Sequence, residues 1–159
     1  MKKSVIYLFL LLMSYCFSAT QLYAQADVTL RQKHWNLTKG IALQGYDPVA
    51  YFTQKKAVEG SKTFQQTYQG VTYWFANKAD LDLFEKEPAK YEPVYGGWCA
   101  YAMGFNGEKV EVDPETFKIV DGKLNLFYNK FFTNTLPKWN KDEASLKKKA
   151  DTNWKNTVK

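Results

Sequence analysis

The sequence predicts an α+β domain: β-hairpins mixed with a few short helices, ending in a C-terminal amphipathic helix. Three observations predict it. β-rich runs are joined by tight-turn signals at Gln69-Gly70 and at Asp121-Gly122-Lys123. Helix-start signals occur at Asn77 and Asn140, each with a carboxylate three residues on, at Asp80 and Glu143. Strands and helices do not alternate regularly, as a parallel sheet would require.

The elements follow in order. Gly45-Tyr46-Asp47-Pro48 reads as a turn, because the residue before proline disfavours helix. Val49 to Phe52 reads as a short strand. Thr63 to Tyr68 and Val71 to Phe75 are the arms of a hairpin. Asn77 caps a helix whose buried face is Leu81, Leu83 and Phe84, and Pro88 closes that segment. Trp98 to Met103 spans one or two helical turns, ended by Gly104 and Asn106-Gly107. Asp113-Pro114 opens another turn. Phe117 to Val120 and Leu124 to Tyr128 form a second hairpin. Asn140 is expected to cap the last helix, along which Leu146, Ala150, Trp154 and Val158 recur every fourth residue.

The N-terminus reads as a secretory signal over residues 1–24. Lys2 and Lys3 precede an apolar run from Val5 to Phe17, and Ala24-Gln25-Ala26 offers cleavage after Ala24 or Ala26. The run is shorter than the ~20 residues a spanning helix needs. Tyr15 is too bulky to precede a lipidated Cys16. The expected protein is therefore periplasmic or secreted, with no permanent membrane span after cleavage. Residues 25–39 read as a flexible arm and 40–158 as one domain.

The whole chain has 159 residues, 22 Lys+Arg, 16 Asp+Glu, two cysteines and one histidine. Removal of residues 1–24 takes Lys2, Lys3 and Cys16, and leaves 135 residues, a net charge of +4 and Cys99 as the sole thiol. One cysteine excludes an internal disulfide and any multi-thiolate metal site. The lysine run at 147–149 lies largely off the apolar stripe and is interspersed with acids. With export, this argues against nucleic acid and leaves an anionic cell surface or glycan as a partner class.

Cys99 is the sharpest chemical candidate. A helix starting near Trp98 would aim N–H groups at its sulfur, which favours thiolate. On a continuous helix Met103 would share its face, and two soft sulfurs suit Cu(I) or another soft metal, with His34 as a third ligand. The alternative is that Cys99 and Met103 are ordinary core residues. Asp47 and Asp113 beside prolines fit turn hydrogen bonds. Tyr46, Asp47, Tyr95 and Trp98 are the candidates for facing a ligand. There is no phosphate loop, nucleophile elbow or metalloprotease helix.

Several motifs resemble the YHS domain family. They are Gly45-Tyr46-Asp47-Pro48-Val49-Ala50-Tyr51-Phe52, then Tyr68-Gln69-Gly70-Val71-Thr72-Tyr73-Trp74-Phe75, then Phe84, Pro88 and Tyr91. Tyr95-Gly96-Gly97-Trp98-Cys99-Ala100 and the stretch from Asp113-Pro114 to Leu124 look like the family's longer exported branch. The resemblance spans about residues 40–157. It implies a hairpin-plus-helix unit related to the TRASH heavy-metal domains, whose thiolates would fall at Ala50, Ala76 and Asp80. All three thiolates are missing here. The resemblance carries no enzymatic activity.

The expectation is an exported, non-enzymatic binding or accessory module for an unknown protein or small ligand. Two alternatives stay open: a soft-metal protein using Cys99 with Met103 or His34, and a thiol-dependent enzyme acting through Cys99.

Overall fold

The structure, a computed structural model, describes residue 25 and residues 27–159. The signal-peptide expectation falls on residues 1–24 and lies outside them. The fold is α+β, with small sheets, short helices and a long C-terminal helix.

The segment expected to be a flexible arm is helical over 27–34 (α1) and packed on the domain. Arg31 is the reason. It is buried, pairs with Glu92, donates from Nε to the Gln69 carbonyl at 3.2 Å, and lies over the Trp35 ring at 4.3 Å. Burial of a guanidinium demands such a partner set, and nothing in the local sequence reports that the partners lie elsewhere in the chain.

Strands β1 (Leu37–Thr38), β2 (Ile41–Ala42), β3 (Ser61–Tyr68) and β4 (Val71–Phe75) form one sheet in the order β1-β2-β4-β3. Along β4 the side chains alternate, so Val71, Tyr73 and Phe75 are all fully buried. Helix α2 (Ala50–Thr53) replaces the strand expected at 49–52. The cause is Asp47, whose Oδ1 accepts the N–H groups of Val49 (2.8 Å) and Ala50 (3.4 Å) and bends the chain into a helical turn.

Helix α3 (Lys78–Lys86) is capped as expected: Asn77 Oδ1 accepts the Asp80 N–H at 2.9 Å. Helix α4 (Pro88–Tyr91) follows directly. Helix α5 (Ala100–Phe105) leads into the hairpin of β5 (Asp113–Val120) and β6 (Lys123–Phe127), and a second hairpin joins β7 (Asn129–Lys130) to β8 (Thr133–Asn134). Helix α6 (Leu136–Lys141) precedes α7 (Glu143–Thr157). Asn140 thus sits inside α6 and does not cap the last helix; its Oδ1 accepts from Lys118. Pro137 fits the first turn of α6, where no N–H is needed, and the fully buried Trp139 anchors that helix.

The core has two parts, divided by β6 and α5. Leu124 and Leu126 face the first part, with Tyr51, Tyr73, Phe84 and Cys99. Phe127 faces the second, with Tyr95, Met103, Trp139, Leu146 and Ala150. Helices α5 and α7 touch at Gly104, where a Cβ would stand 2.4 Å from the Leu146 carbonyl oxygen. Trp35 and Trp154 meet edge to face beside Gly96, with ring centroids 5.5 Å apart.

Among the described residues four two-residue hairpin turns have positive φ at both central residues, the signature of a type I′ turn. Three end in glycine: Lys39-Gly40, Gln69-Gly70 and Asp121-Gly122. The fourth is Phe131-Phe132, at φ 50° and 63°. A bulky residue in this region costs on the order of 1 kcal/mol, and that turn holds two non-glycine residues there where each of the others holds one.

Candidate functional site

Cys99 ends an extended stretch (φ −58°, ψ 115°) just before α5. Its N–H donates to the Val110 carbonyl at 3.0 Å, and it bridges in parallel to Leu126. The residue is wholly buried. Its sulfur accepts the Tyr128 N–H at 3.4 Å and lies 3.4 Å from the Thr135 hydroxyl. That hydroxyl also donates to the Tyr128 carbonyl at 3.1 Å. The thiol is held by a hydroxyl and an amide, and neither is a base.

A pocket of about 200 Å³ has Cys99 in its lining. Its walls are largely apolar: Tyr101, Ala102, Phe105, Val110 and Tyr128. Cys99, Thr135, Asn106 and Glu108 complete the lining. Phe105 is two-thirds exposed and stacks on Tyr101 with ring centroids 5.5 Å apart. On its other side Phe105 borders a wider groove of about 540 Å³ between α5 and α7, which Lys148 and Lys149 also line. The sequence singled out Cys99 but missed Phe105, Val110, Tyr128 and Thr135. Only the fold brings Thr135 beside a residue 36 positions earlier.

The soft-metal set does not assemble. Cys99 is not part of the helix, so the spacing that would place Met103 on its face does not apply. The two residues enter different parts of the core. His34 lies elsewhere again: its Nδ1 is 3.0 Å from Lys109 Nζ, and its carbonyl accepts the Trp98 Nε1–H at 2.7 Å. Burial first, then the charge of Lys109, lower the His34 pKa. Among the described residues no three His, Cys, Asp or Glu side chains gather to hold a metal. The residues present do not fit Cu(I).

The ligand-facing candidates are mostly structural. Tyr95 is buried, and its hydroxyl donates to Asp151 at 2.9 Å. Trp98 is held by His34, and Tyr46 donates to Glu115 at 3.4 Å. None of them lines the Cys99 pocket.

Asp47 is fully buried and organises a different centre. Its Oδ2 accepts the Ala76 N–H at 2.8 Å, while Oδ1 accepts those of Val49 and Ala50. The carboxyl of Asp80, itself buried, is near enough for its charge to act on Asp47. Burial pushes the Asp47 pKa up to about 6; the N–H groups of Ala76 and Val49 oppose the rise and the Asp80 charge adds to it. Of the three positions where the family resemblance expects thiolates, Ala50 and Ala76 donate their N–H groups to Asp47, and Asp80 acts on it through its charge. At those positions the chain supplies two methyl groups and a carboxyl, and the Asp47 hydrogen bonds tie α2 to the end of β4.

Among the described residues no helix is long and apolar enough to cross a membrane. Comparison of the chain with protein-family models, with curated proteins and with solved structures gives no match.

Proposed function

We propose that the protein is an exported, non-enzymatic binding module of YHS type, and that its ligand seat is the Cys99 pocket. One observation carries this reading. A small, mostly apolar pocket is lined in part by Cys99 and Thr135, whose thiol and hydroxyl are fixed by their own hydrogen bonds. Such a pocket suits binding, with apolar walls giving affinity and a few polar atoms giving orientation. Thiol catalysis would need a base within reach of the sulfur, and the sulfur's hydrogen-bond partners are a hydroxyl and a backbone amide. The size sets the ligand class. A dry cavity of roughly 150 Å³ holds benzene, so about 200 Å³ takes a single-ring molecule carrying one hydroxyl or amine.

The test is titration with phenol and benzyl alcohol, followed by the chemical shifts of Ala102 and Val110. Saturable shifts are expected, and Ala102→Leu, which fills the pocket, should abolish them. Absence of saturation in the wild-type chain would overturn the seat. Cys99 should resist iodoacetamide until the chain unfolds. Rapid alkylation of the native protein would instead favour a thiol enzyme.

A further inference from the structure

The strained turn at Phe131-Phe132 has no role in the pocket or the core. Phe131 is 87% exposed and Phe132 is completely exposed. Large aromatic side chains this exposed are unusual for one chain position, and here two stand side by side at the tip of a hairpin. The same fold makes its other three type I′ turns with glycine in second place. A turn composed for stability alone would do the same here.

The charge around the tip indicates what it meets. From Lys123 to Lys141 the chain carries four lysines and no acid. Lys130 directly precedes the tip, and Lys138 and Lys141 lie on α6, just beyond the hairpin in the chain. All three are exposed. Aromatic side chains on a narrow projection, backed by lysines, match a bilayer with anionic headgroups: rings enter the acyl boundary while ammonium groups stay with phosphate. A protein pocket for two phenylalanines would not by itself call for lysines beside them. The Asp113 carboxylate contacts Asn129 at the base of the hairpin, at 3.3 Å, away from the tip.

We infer that the β7–β8 hairpin is a membrane-docking finger, inserting Phe131 and Phe132 into an anionic lipid surface with Lys130, Lys138 and Lys141 against the headgroups. The finger does not depend on the ligand seat proposed for the Cys99 pocket.

The experiment uses the protein as its host processes it, with vesicles of 30% phosphatidylglycerol in phosphatidylcholine and vesicles of phosphatidylcholine alone. Co-sedimentation should show binding to the anionic vesicles that weakens at least ~fivefold on the neutral ones and weakens with salt. The key variant is F131N/F132G, which installs the preferred type I′ pair while removing both rings. It should melt at the same temperature as wild type or higher, and lose vesicle binding by ~tenfold or more. Because the variant relieves strain, misfolding cannot mimic the result. K130Q/K138Q/K141Q should remove the preference for anionic vesicles. Wild-type binding that survives F131N/F132G within twofold would overturn the inference, as would no binding to either vesicle. A concentration-dependent dimer that the variant abolishes, without vesicle binding, would show that the finger meets a second copy instead.

Discussion

Replacing Asp47 with asparagine should change how the protein's stability depends on pH. The Asp47 carboxyl has its pKa raised from 3.8 to about 6 in the fold, chiefly by burial. A group raised on folding binds its proton more tightly in the native state. Its stabilising contribution is therefore complete below pH 3.8 and lost as pH climbs through 6. A rise of that size is worth about 2–3 kcal/mol between pH 4 and pH 7.5, or roughly 10 °C in Tm for a domain of this size. Other groups act in the opposite direction. Glu143, whose pKa is lowered first by its hydrogen bond from Lys118, loses its contribution as pH falls. The informative quantity is therefore the difference between wild type and Asp47→Asn, measured by urea unfolding at pH 4.5 and pH 7.5. Asparagine carries no charge at either pH. It can keep the bonds from Val49 and Ala50, but turns an N–H toward that of Ala76, at a cost of about 1–2 kcal/mol. The variant should be clearly weaker than wild type at pH 4.5 and should draw level, or overtake it, at pH 7.5. A gap that stays constant within about 0.5 kcal/mol would show that Asp47 does not titrate between those values, and the account of its burial would fail. Asp80→Asn gives a check on cause. Since burial outweighs the Asp80 charge, Asp47 should still titrate above pH 4 in that variant.

Two further predictions concern packing. Arg31→Met leaves the part-buried Glu92 without its cation, at a cost of about 2–3 kcal/mol, below that of breaking a fully buried pair; urea unfolding should show that loss, and limited proteolysis should begin to cut within residues 27–34. Gly104→Ala puts a methyl 2.4 Å from the Leu146 carbonyl oxygen, so α5 and α7 must part; calorimetry should show destabilisation by about 2–3 kcal/mol, and an unchanged melting temperature would mean that the two helices are not in that contact.

Parts of this molecule could be read from local sequence, and the parts that could not share a physical cause. The hairpin at Gln69-Gly70, the one at Asp121-Gly122 and the Asn77 cap depend on residues within a few positions of each other, and all three form as expected. The stripe on α7 is correct at Leu146 and Ala150, both buried. The misreadings arise where a distant or competing partner decides. Asp47 turns 49–52 from strand to helix. Arg31 finds Glu92 and Gln69 far along the chain and orders a segment that local composition marks as loose. For the candidate site, Cys99 was legible as a residue to watch, but its pairing with Met103 rested on a helix that begins one residue too late. The pocket walls were not legible, because they come from α5, the loop that follows it, and the residues that flank the β7–β8 hairpin.

The meeting of Trp35 and Trp154 beside Gly96 bears on how the molecule is completed. A chain released from one end presents Trp35 long before Trp154. Until helix α7 has emerged, the early indole and the Gly96 loop lack the ring that covers them. The contact works as a clasp, fastened only once α7 arrives, so a nascent chain, or one clipped ahead of α7, would keep an open, sticky seam at a place where the folded protein has none.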